Sequence, residues 1–263
     1  DGLCGLDQVK RDVKSLINLV KVRRLREEAG LPVPPMSLHL VFLGNPGTGK
    51  TTVARLLAKL YHAIGVLPKG QLVEVDRSGL VAGYVGQTAI KTQKVIQKAL
   101  GGVLFIDEAY ALNGKSENDF GQEAIDTILK AMEDHRDDLV VIVAGYTDLM
   151  DRFIHSNPGL ESRFNRFLLF EDYTPDEMLD IFKMQCKKGC YQLSDGVEEL
   201  VRDYITEENG DPETFGNARG VRNIFEHILV AQNNRLAAME TVTKEDLMTL
   251  TQDDVLHARG KLD

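Results

Sequence analysis

The chain has 263 residues, 43% of them hydrophobic and 27% charged, with a formal net charge of −9. This length predicts one large or two modest domains. The acidic balance argues against broad electrostatic attraction to nucleic acid, and no apolar run approaches the length of a membrane span. Three cysteines and the absence of a visible secretory signal favour a cytoplasmic location. Because the sequence begins at Asp1 without a methionine, we expect a trimmed chain or a fragment of a longer protein.

A helix from about Asp7 to Glu28 opens the chain, and it ends before Gly30 and a proline-rich breaker. Strand and helix patterns then alternate. Alternation of this kind predicts a doubly wound parallel sheet with helices on both faces. The strands are predicted near 38–43, 71–75, 103–106, 139–143 and 167–170, and the helices near 50–64, 87–99, 119–134 and 148–155.

The pattern changes after Asp172, where the strand runs stop. We therefore expect an α/β domain over residues 1–172 and a small all-helical domain over residues 173–263. The helices of the second domain are predicted near 175–187, 195–207, 217–239 and 252–258.

The segment that follows the first strand has the pattern G-x-x-x-x-G-K-[ST] of a phosphate-binding loop. Its glycines allow consecutive N–H groups to point at an anion, and the helix that follows adds the positive end of its dipole. In this interpretation Lys50 reaches the β- and γ-phosphates of a nucleoside triphosphate, and the Thr51 hydroxyl binds Mg²⁺. A glycine-rich turn that matches by chance is the alternative. The predicted nucleotide-binding residues are Gly44, Asn45, Pro46, Gly47, Thr48, Gly49, Lys50, Thr51 and Thr52.

The apolar strand at 103–106 leads to two acids, Asp107 and Glu108, at its carboxyl end, where ligands bind in open α/β sheets. Asp107 is predicted to hold Mg²⁺ through its water shell, and Glu108 to orient and polarise an attacking water. An apolar run followed by two acids is a weak signal alone. It becomes a strong one downstream of a phosphate loop.

Two arginine-bearing segments could supply positive charge where the γ-phosphoryl group breaks away. Residues 159–166 precede the last predicted strand, and residues 216–223 open a helix of the second domain. An arginine that completes the site of a neighbouring chain raises the rate by about 10³–10⁵-fold in related enzymes. From spacing alone, each arginine could equally form a surface ion pair.

An apolar loop at residues 79–87 is punctuated by glycines. A buried turn is one interpretation of this pattern. The other is a mobile loop that presents the aromatic ring of Tyr84 to a polypeptide through apolar contact.

Taken together, these motifs resemble those of AAA+ ATPases, and most closely the CbbX/CfxQ branch, which includes the red-type Rubisco activases and stage V sporulation protein K. The resemblance implies a P-loop AAA+ sheet followed by a helical lid. The matching stretches, in order along most of the chain, are GNPGTGKTTVA (44–54), GYVGQTA (83–89), GGVLFIDEAYAL (101–112), DFGQEAI (119–125), MEDHRDDLVVIVAGY (132–146), SNPGLESRF (156–164) and GNARGVRN (216–223).

The resemblance also implies roles for particular residues. It makes Arg163 the arginine finger, which acts on ATP held by the adjacent subunit. It makes Arg219 the sensor-2 arginine, which couples the lid to the γ-phosphate. The loop of the central pore corresponds to Tyr84, Val85 and Gly86.

At the start of the chain, Cys4 and Gly5 resemble the segment that lines the adenine pocket. The sensor-1 position falls near Tyr146 and Thr147. The implied activity is ATP hydrolysis with Mg²⁺, coupled to remodelling of a protein client by a homo-oligomer, a hexameric ring. Neither nucleic acid nor a membrane is expected as a partner.

Two alternatives to client remodelling stay open. One is a nucleic-acid-associated ATPase of the loader type, against which the acidic composition and the aromatic loop weigh. The other is a small-molecule P-loop kinase. The adjacent acids Asp107 and Glu108 favour hydrolysis over transfer to another acceptor.

Overall fold

The computed structural model describes residues 2–114 and 119–260, and within them the chain forms two compact units. The α/β unit consists of Asp7–Gly44 and the described part of Gly49–Phe170. The helical unit combines the described parts of Asp1–Leu6 and Glu171–Asp263 with the short segment Asn45–Thr48. The sequence did not indicate that this segment and the chain start would group with the helices, and the boundary at residue 172 stays a prediction.

The α/β unit contains a five-stranded parallel sheet with the order β2-β3-β4-β1-β5. The strands β3 and β4 are buried along almost their whole length because both of their faces are covered. The predicted doubly wound α/β fold is confirmed. The strands are β1 Leu40–Leu43, β2 Leu72–Val75, β3 Val103–Asp107, β4 Val140–Gly145 and β5 Phe167–Leu169.

Helices of two kinds surround this sheet. The long ones bury apolar stripes against the strands, as Ile96, Ile128 and Phe153 do, and the sequence predicted them. The short ones were missed because one or two turns are too few to show a helical period. The helices are α1 Asp7–Glu28, α2 Lys50–Ala63, α3 Arg77–Leu80, α4 Gln87–Ala99, α5 Gly121–Asp134, α6 Thr147–His155 and α7 Pro158–Arg163, with a 3₁₀ turn at Ala109–Leu112.

The helical unit packs its own core from residues such as Met178, Phe182, Ile205 and Ile228. Three of its helices begin at a threonine that forms a capping box with an acid three residues later. The helices are α8 Pro175–Lys188, α9 Val197–Glu208, α10 Pro212–Phe215, α11 Ala218–Ala237, α12 Lys244–Met248 and α13 Gln252–Ala258.

The expectation of an all-helical second domain holds except for one short strand pair. Strands β6 Gln192–Leu193 and β7 Thr249–Leu250 pair in parallel. Two residues per strand are too few to produce an alternating pattern, so the sequence could not reveal them. Within the described residues, no helix has the length and apolar character that crossing a membrane would need.

Candidate active site

The phosphate loop begins where β1 ends. Gly44 has φ +149, and a Cβ atom there would lie 2.3 Å from the Phe170 carbonyl oxygen. Only glycine can therefore occupy this position without moving the neighbouring strand. The Gly44 N–H donates to the Gly145 carbonyl at 3.1 Å, which fixes the loop start to the carboxyl end of β4.

The loop ends where α2 begins. Gly49 has φ +95 and precedes the first helical residue, Lys50, so the N–H groups of the first turn of the helix follow the loop directly. The Lys50 Nζ donates to the Gly44 carbonyl at 2.8 Å. The Thr51 hydroxyl lies 3.4 Å from a carboxylate oxygen of Glu74 on β2. A cation and a hydroxyl thus accompany the helix N-terminus, as phosphate binding requires.

The middle of the loop belongs to the helical unit. The Asn45 side-chain amide donates to both oxygens of Asp172, at 3.0 and 3.1 Å. The Tyr173 hydroxyl donates to the Thr48 carbonyl at 3.0 Å. Because Tyr173 is buried, its phenol pKa is raised to about 12, and the hydroxyl remains a donor at neutral pH.

The two acids after β3 adopt different backbone conformations. Asp107 is the last residue of the strand and pairs with Ala144 of β4. Glu108 lies in the left-handed region, with φ 48 and ψ 46, and its N–H donates to an Asp107 carboxylate oxygen at 3.0 Å. Such a conformation costs a non-glycine residue about 1–3 kcal/mol and is common at functional sites.

Glu108 lines a small cavity of about 380 Å³ with Asp76, Arg77 and Ser78. Arg77 donates to the Ala111 carbonyl at 2.7 Å and to Asp119 at 2.8 Å. This hydrogen bond from Arg77 is the largest cause of the lowered pKa of the Asp119 carboxyl. The sequence did not reveal this pair, which fixes the segment after Glu108.

The donor set suits a magnesium ion that is held chiefly by nucleotide phosphates. Among the residues that the structure describes, no three His, Cys, Asp or Glu side chains form a group that could hold a metal. Thr51 and Asp107 instead offer one hydroxyl and one carboxylate at the carboxyl end of the sheet. Mg²⁺ keeps several waters and takes one or two protein ligands beside phosphate oxygens, which matches this pair.

Arg163 lies at the opposite edge of the same sheet. It ends α7, and the Ser37 hydroxyl donates to its carbonyl at 2.9 Å. Its guanidinium donates to the Gly159 carbonyl at 3.2 Å and lies 3.7 Å from a Glu133 carboxylate oxygen. The side chain lines a cavity of about 780 Å³ with residues that precede or open β1 and β4, among them His39.

We call the group Gly44, Lys50, Asp107 and Glu108 the carboxyl edge, and the group His39, Glu133, Arg136 and Arg163 the amino edge. Arg136 also pairs closely with Glu133. The five steps from residue to residue between His39 and Gly44 span about 17 Å of extended chain at roughly 3.3 Å each. Arg163 therefore lies a full strand length from the acids of its own chain.

His39 is a residue of the amino edge that the sequence did not indicate. Its Nδ1 accepts a hydrogen bond from the Val141 N–H at 2.9 Å. Burial, and then the charge of Arg163, lower the pKa of the imidazole to about 4. The ring is consequently neutral at neutral pH and adds no charge beside Arg163.

The loop between α3 and α4 exposes its apolar tip. Tyr84 is 74% exposed and Val85 is 86% exposed, and Gly86 takes a left-handed conformation that starts α4. Both ends of the loop are fixed, since the Thr92 hydroxyl donates to the Leu80 carbonyl at 3.0 Å and the Ala82 N–H donates to the Thr88 hydroxyl at 3.0 Å. The tip is therefore not a buried turn.

Four other predicted positions are distributed over both units. Cys4 lies 2.9 Å from the Met184 sulfur within the helical unit. A Cβ atom at Gly5 would lie 2.8 Å from a Glu177 oxygen, so this glycine permits a close approach to α8. Arg219 is exposed in the first turn of α11. In the α/β unit Tyr146 follows β4, with its ring 6.4 Å from that of Tyr110. The roles predicted for these residues stay predictions.

Two family models match successive parts of the chain. The model described as "ATPase family associated with various cellular activities (AAA)" matches residues 40–172. The model described as "AAA lid domain" matches residues 174–262. The two matches cover the sheet with its phosphate loop and the helices that follow.

Named relatives align over nearly the whole chain. Stage V sporulation protein K of Bacillus subtilis is 45% identical over 255 residues, which are 96% of this chain and 79% of that protein. The chloroplastic ribulose bisphosphate carboxylase/oxygenase activase of Cyanidioschyzon merolae is 45% identical over 260 residues, 98% of this chain and 88% of that protein.

A solved structure shares the fold at lower identity. The FIGL-1 AAA domain superposes with a TM-score of 0.68 at 18% identity, covering 98% of this chain and 81% of that one. The same domain has also been solved in complex with ADP. At this identity the likeness shows the fold alone.

Proposed function

Because the chain belongs to the AAA ATPase family, we propose that it binds ATP with Mg²⁺ at its phosphate loop and that a ring of identical chains uses the hydrolysis to remodel a protein client. The chain is an ATP hydrolase of the type that includes the CfxQ proteins, Rubisco activase and stage V sporulation protein K. The ring, the magnesium ion and the client are parts of the proposal.

At the carboxyl edge each residue has a task in hydrolysis. The N–H groups of the loop and of the first turn of α2 hold phosphate oxygens, and Lys50 adds a charge at the β- and γ-phosphates. Thr51 and Asp107 would hold Mg²⁺, which neutralises charge on the phosphates when bound. Glu108 accepts a hydrogen bond from the attacking water and orients it for in-line attack.

The position of Arg163 is the observation that supports an assembly of identical chains into a ring. Its guanidinium lies at the amino edge, a strand length of about 17 Å from the carboxyl edge, whereas a side chain that stabilises the transferring phosphoryl group must contact it. An arginine in this place can act on a nucleotide of a second copy but not on its own. We propose that the closed assembly is a hexamer, as the resemblance to the branch implies.

The exposed tip of the loop at residues 83–86 supports a polypeptide as the client. Tyr84 and Val85 place an aromatic ring and a branched aliphatic group in solvent, and both ends of the loop are anchored. Exposed apolar side chains of this kind grip a chain by contact area rather than by reading its sequence. We also propose a cytoplasmic location, which suits the three cysteines Cys4, Cys186 and Cys190, since none of them forms a disulfide among the described residues.

Mixing two inactive variants tests the ring and the ATPase together. Lys50→Ala should lose ATP binding, and Arg163→Ala should bind ATP but lose turnover. In a random equal mixture, about a quarter of the sites combine an intact Lys50 with an intact Arg163 from the neighbour, so about a quarter of the unsubstituted rate should return if the arginine acts in trans. Phosphate release is the measurement.

The same experiment has two controls. Arg136→Ala, which removes the other guanidinium on Glu133, should change the rate only a few-fold, since exposed ion pairs contribute little. Sedimentation with ATP should show the unsubstituted chain as a closed oligomer. The proposed ring would be overturned if the mixture were as inactive as each variant alone and the unsubstituted chain sedimented as a monomer at every concentration.

A further inference from the structure

Asn217 has a backbone conformation that is normally left to glycine. It precedes the first residue of α11 with φ 52 and ψ −121, and it is fully buried. Non-glycine residues rarely occupy this region, and holding one there costs free energy. A glycine would fit the backbone without strain, so the side chain must be what this position requires.

The Asn217 carboxamide connects three groups of the helical unit. Its Oδ1 accepts a hydrogen bond from the Tyr173 N–H at 2.9 Å. Its Nδ2 donates to an Asp172 carboxylate oxygen at 2.8 Å and to the Pro46 carbonyl at 3.3 Å. Asp172 in turn accepts from the Asn45 amide. One buried side chain thus links the segment after β5 to the middle of the phosphate loop.

The two loop residues that follow Pro46 are bound to the same unit. The Gly47 carbonyl accepts from the Ala218 N–H at 3.0 Å, next to Asn217. A Cβ atom at Gly47 would lie 2.0 Å from the Gly216 carbonyl oxygen, so the two segments are in direct contact. The Thr48 carbonyl accepts from the Tyr173 hydroxyl. Three successive carbonyls of the loop therefore point towards residues of the helical unit.

The direction of these carbonyls determines the direction of the loop N–H groups. In a trans peptide the C=O of one residue and the N–H of the next point in opposite directions. The described residues contain no cis peptide bond. When the carbonyls of residues 46, 47 and 48 point towards Asn217, Ala218 and Tyr173, the N–H groups of residues 47, 48 and 49 point away from them. Those N–H groups are the ones that a phosphate loop offers to an anion.

We propose that Asn217 is a positioning residue for the nucleotide: through Asp172 and the Pro46 carbonyl, its carboxamide fixes the loop so that the N–H groups of residues 47–49 are aligned for phosphate before it binds. This inference rests on the proposed ATPase function and names the part of the lid that prepares the loop. Prealigned donors bind an anion more tightly because the loop loses less freedom on binding.

Alanine and glycine at position 217 separate the side chain from the backbone. Both remove the carboxamide, but glycine relieves the strain at φ 52 while alanine retains it. Asn217→Ala and Asn217→Gly should both weaken ATP binding by about tenfold or more, since each loses the buried hydrogen bonds. Their melting temperatures should differ, with the alanine variant the lower. The measurements are titration with a fluorescent ATP analogue and thermal unfolding.

Gln232 provides a matched control on the same helix. Its buried amide donates to three backbone carbonyls, those of Asp246, Leu247 and Thr249, away from the phosphate loop. Gln232→Ala should therefore lower the melting temperature and leave ATP affinity within about twofold. Equal losses of affinity in the Gln232 and Asn217 variants would reduce the effect to general destabilisation and overturn the inference.

Exchanging the two partners tests the contact itself. Asn217→Asp places two carboxylates against each other and should weaken ATP binding further than alanine does. Adding Asp172→Asn restores an amide–carboxylate pair with the two partners exchanged. The double variant should bind ATP about tenfold more tightly than Asn217→Asp alone. No recovery would overturn the role of the Asn217–Asp172 contact.

The unsubstituted chain distinguishes this inference from the proposed function. If it binds no ATP analogue, the proposed function fails and the inference fails with it. If the unsubstituted chain binds ATP, and the Asn217→Ala and Asn217→Gly variants bind it as tightly as the unsubstituted chain does, the inference alone is wrong.

Discussion

The two edges of the central sheet are built in different ways. The carboxyl edge depends on the backbone: glycines with positive φ at positions 44, 47 and 49, the start of α2, and the strained turn at Glu108. The amino edge depends on side chains from distant segments, where His39, Glu133 and Arg163 meet at one cavity. The phosphate loop is thus contiguous in sequence, whereas the group at the amino edge, which we propose acts on a second copy, is assembled only by the fold.

The charges of the two edges differ as well. At the carboxyl edge Lys50 donates to a backbone carbonyl, and Asp107 and Glu108 follow each other on one turn. At the amino edge Glu133 has two arginines as neighbours, and burial keeps the nearby histidine neutral. We therefore propose a chemical task for the carboxylates at the carboxyl edge, whereas the Glu133 carboxylate at the amino edge forms ion pairs.

The largest effect that separates the edges is expected from Glu108→Gln. The amide keeps the size of the side chain but cannot accept a proton from water, so turnover should fall by about 10²–10⁴-fold. ATP binding should persist because the phosphate loop and Lys50 are unaltered. Phosphate release and titration with an ATP analogue are the two measurements.

Glu133→Gln is the matched control at the amino edge. Both glutamates are exposed, and the same change there removes only the ion pairs with Arg136 and Arg163. The rate should change less than about tenfold, as for other exposed pairs. Equal losses of turnover in the two variants would erase the distinction between the edges.

The same contrast explains what the sequence could predict. The phosphate loop and the acids after β3 are local patterns with apolar strands before them, so their place at the carboxyl end of the sheet followed from alternation alone. His39 carried no such signal, because its low pKa arises from burial and from an arginine more than a hundred residues away in sequence.

Asn217 shows the same limit within a recognised motif. The stretch GNARGVRN drew attention to its arginine, but the contacts of Asn217 with Asp172, Tyr173 and Pro46 join segments far apart in the chain. Spacing along the sequence says nothing about such contacts. The short strands β6 and β7 escaped detection for a related reason, since their pairing joins residues 192–193 to residues 249–250.

A change at the loop of residues 83–86 should leave both edges unaltered. It should affect only the coupling of ATP hydrolysis to a client polypeptide. Tyr84→Ala removes most of the exposed aromatic surface of the tip, so stimulation of turnover by a client polypeptide should be lost. Tyr84→Phe keeps the ring and should retain most of the stimulation. The measurement is the ratio of phosphate release with and without an unfolded polypeptide. Equal ratios in the two variants would exclude the aromatic side chain of Tyr84 as the group that grips the client.

The smallest expected effect concerns stability at the amino edge. In the folded chain the pKa of His39 is lowered to about 4, whereas the unfolded value is near 6.5. Between these values the unfolded chain binds more protons than the folded one, so the free energy of unfolding falls as the pH falls. The contribution of His39 is complete above about pH 6.5 and decreases by about 2 kcal/mol between roughly pH 7 and pH 5.

The His39→Asn variant separates the contribution of His39 to the free energy of unfolding from the contributions of other titrating groups. The asparagine oxygen can accept the Val141 N–H in place of Nδ1, but it does not titrate. Denaturant unfolding at the two pH values should therefore show a smaller loss of stability on acidification for the variant than for the unsubstituted chain. If both lose the same amount, folding does not lower the pKa of His39, and the imidazole is protonated in the folded chain at pH 5. The amino edge would then carry an additional positive charge beside Arg163, and the electrostatic contrast between the two edges would be larger than the buried neutral ring implies.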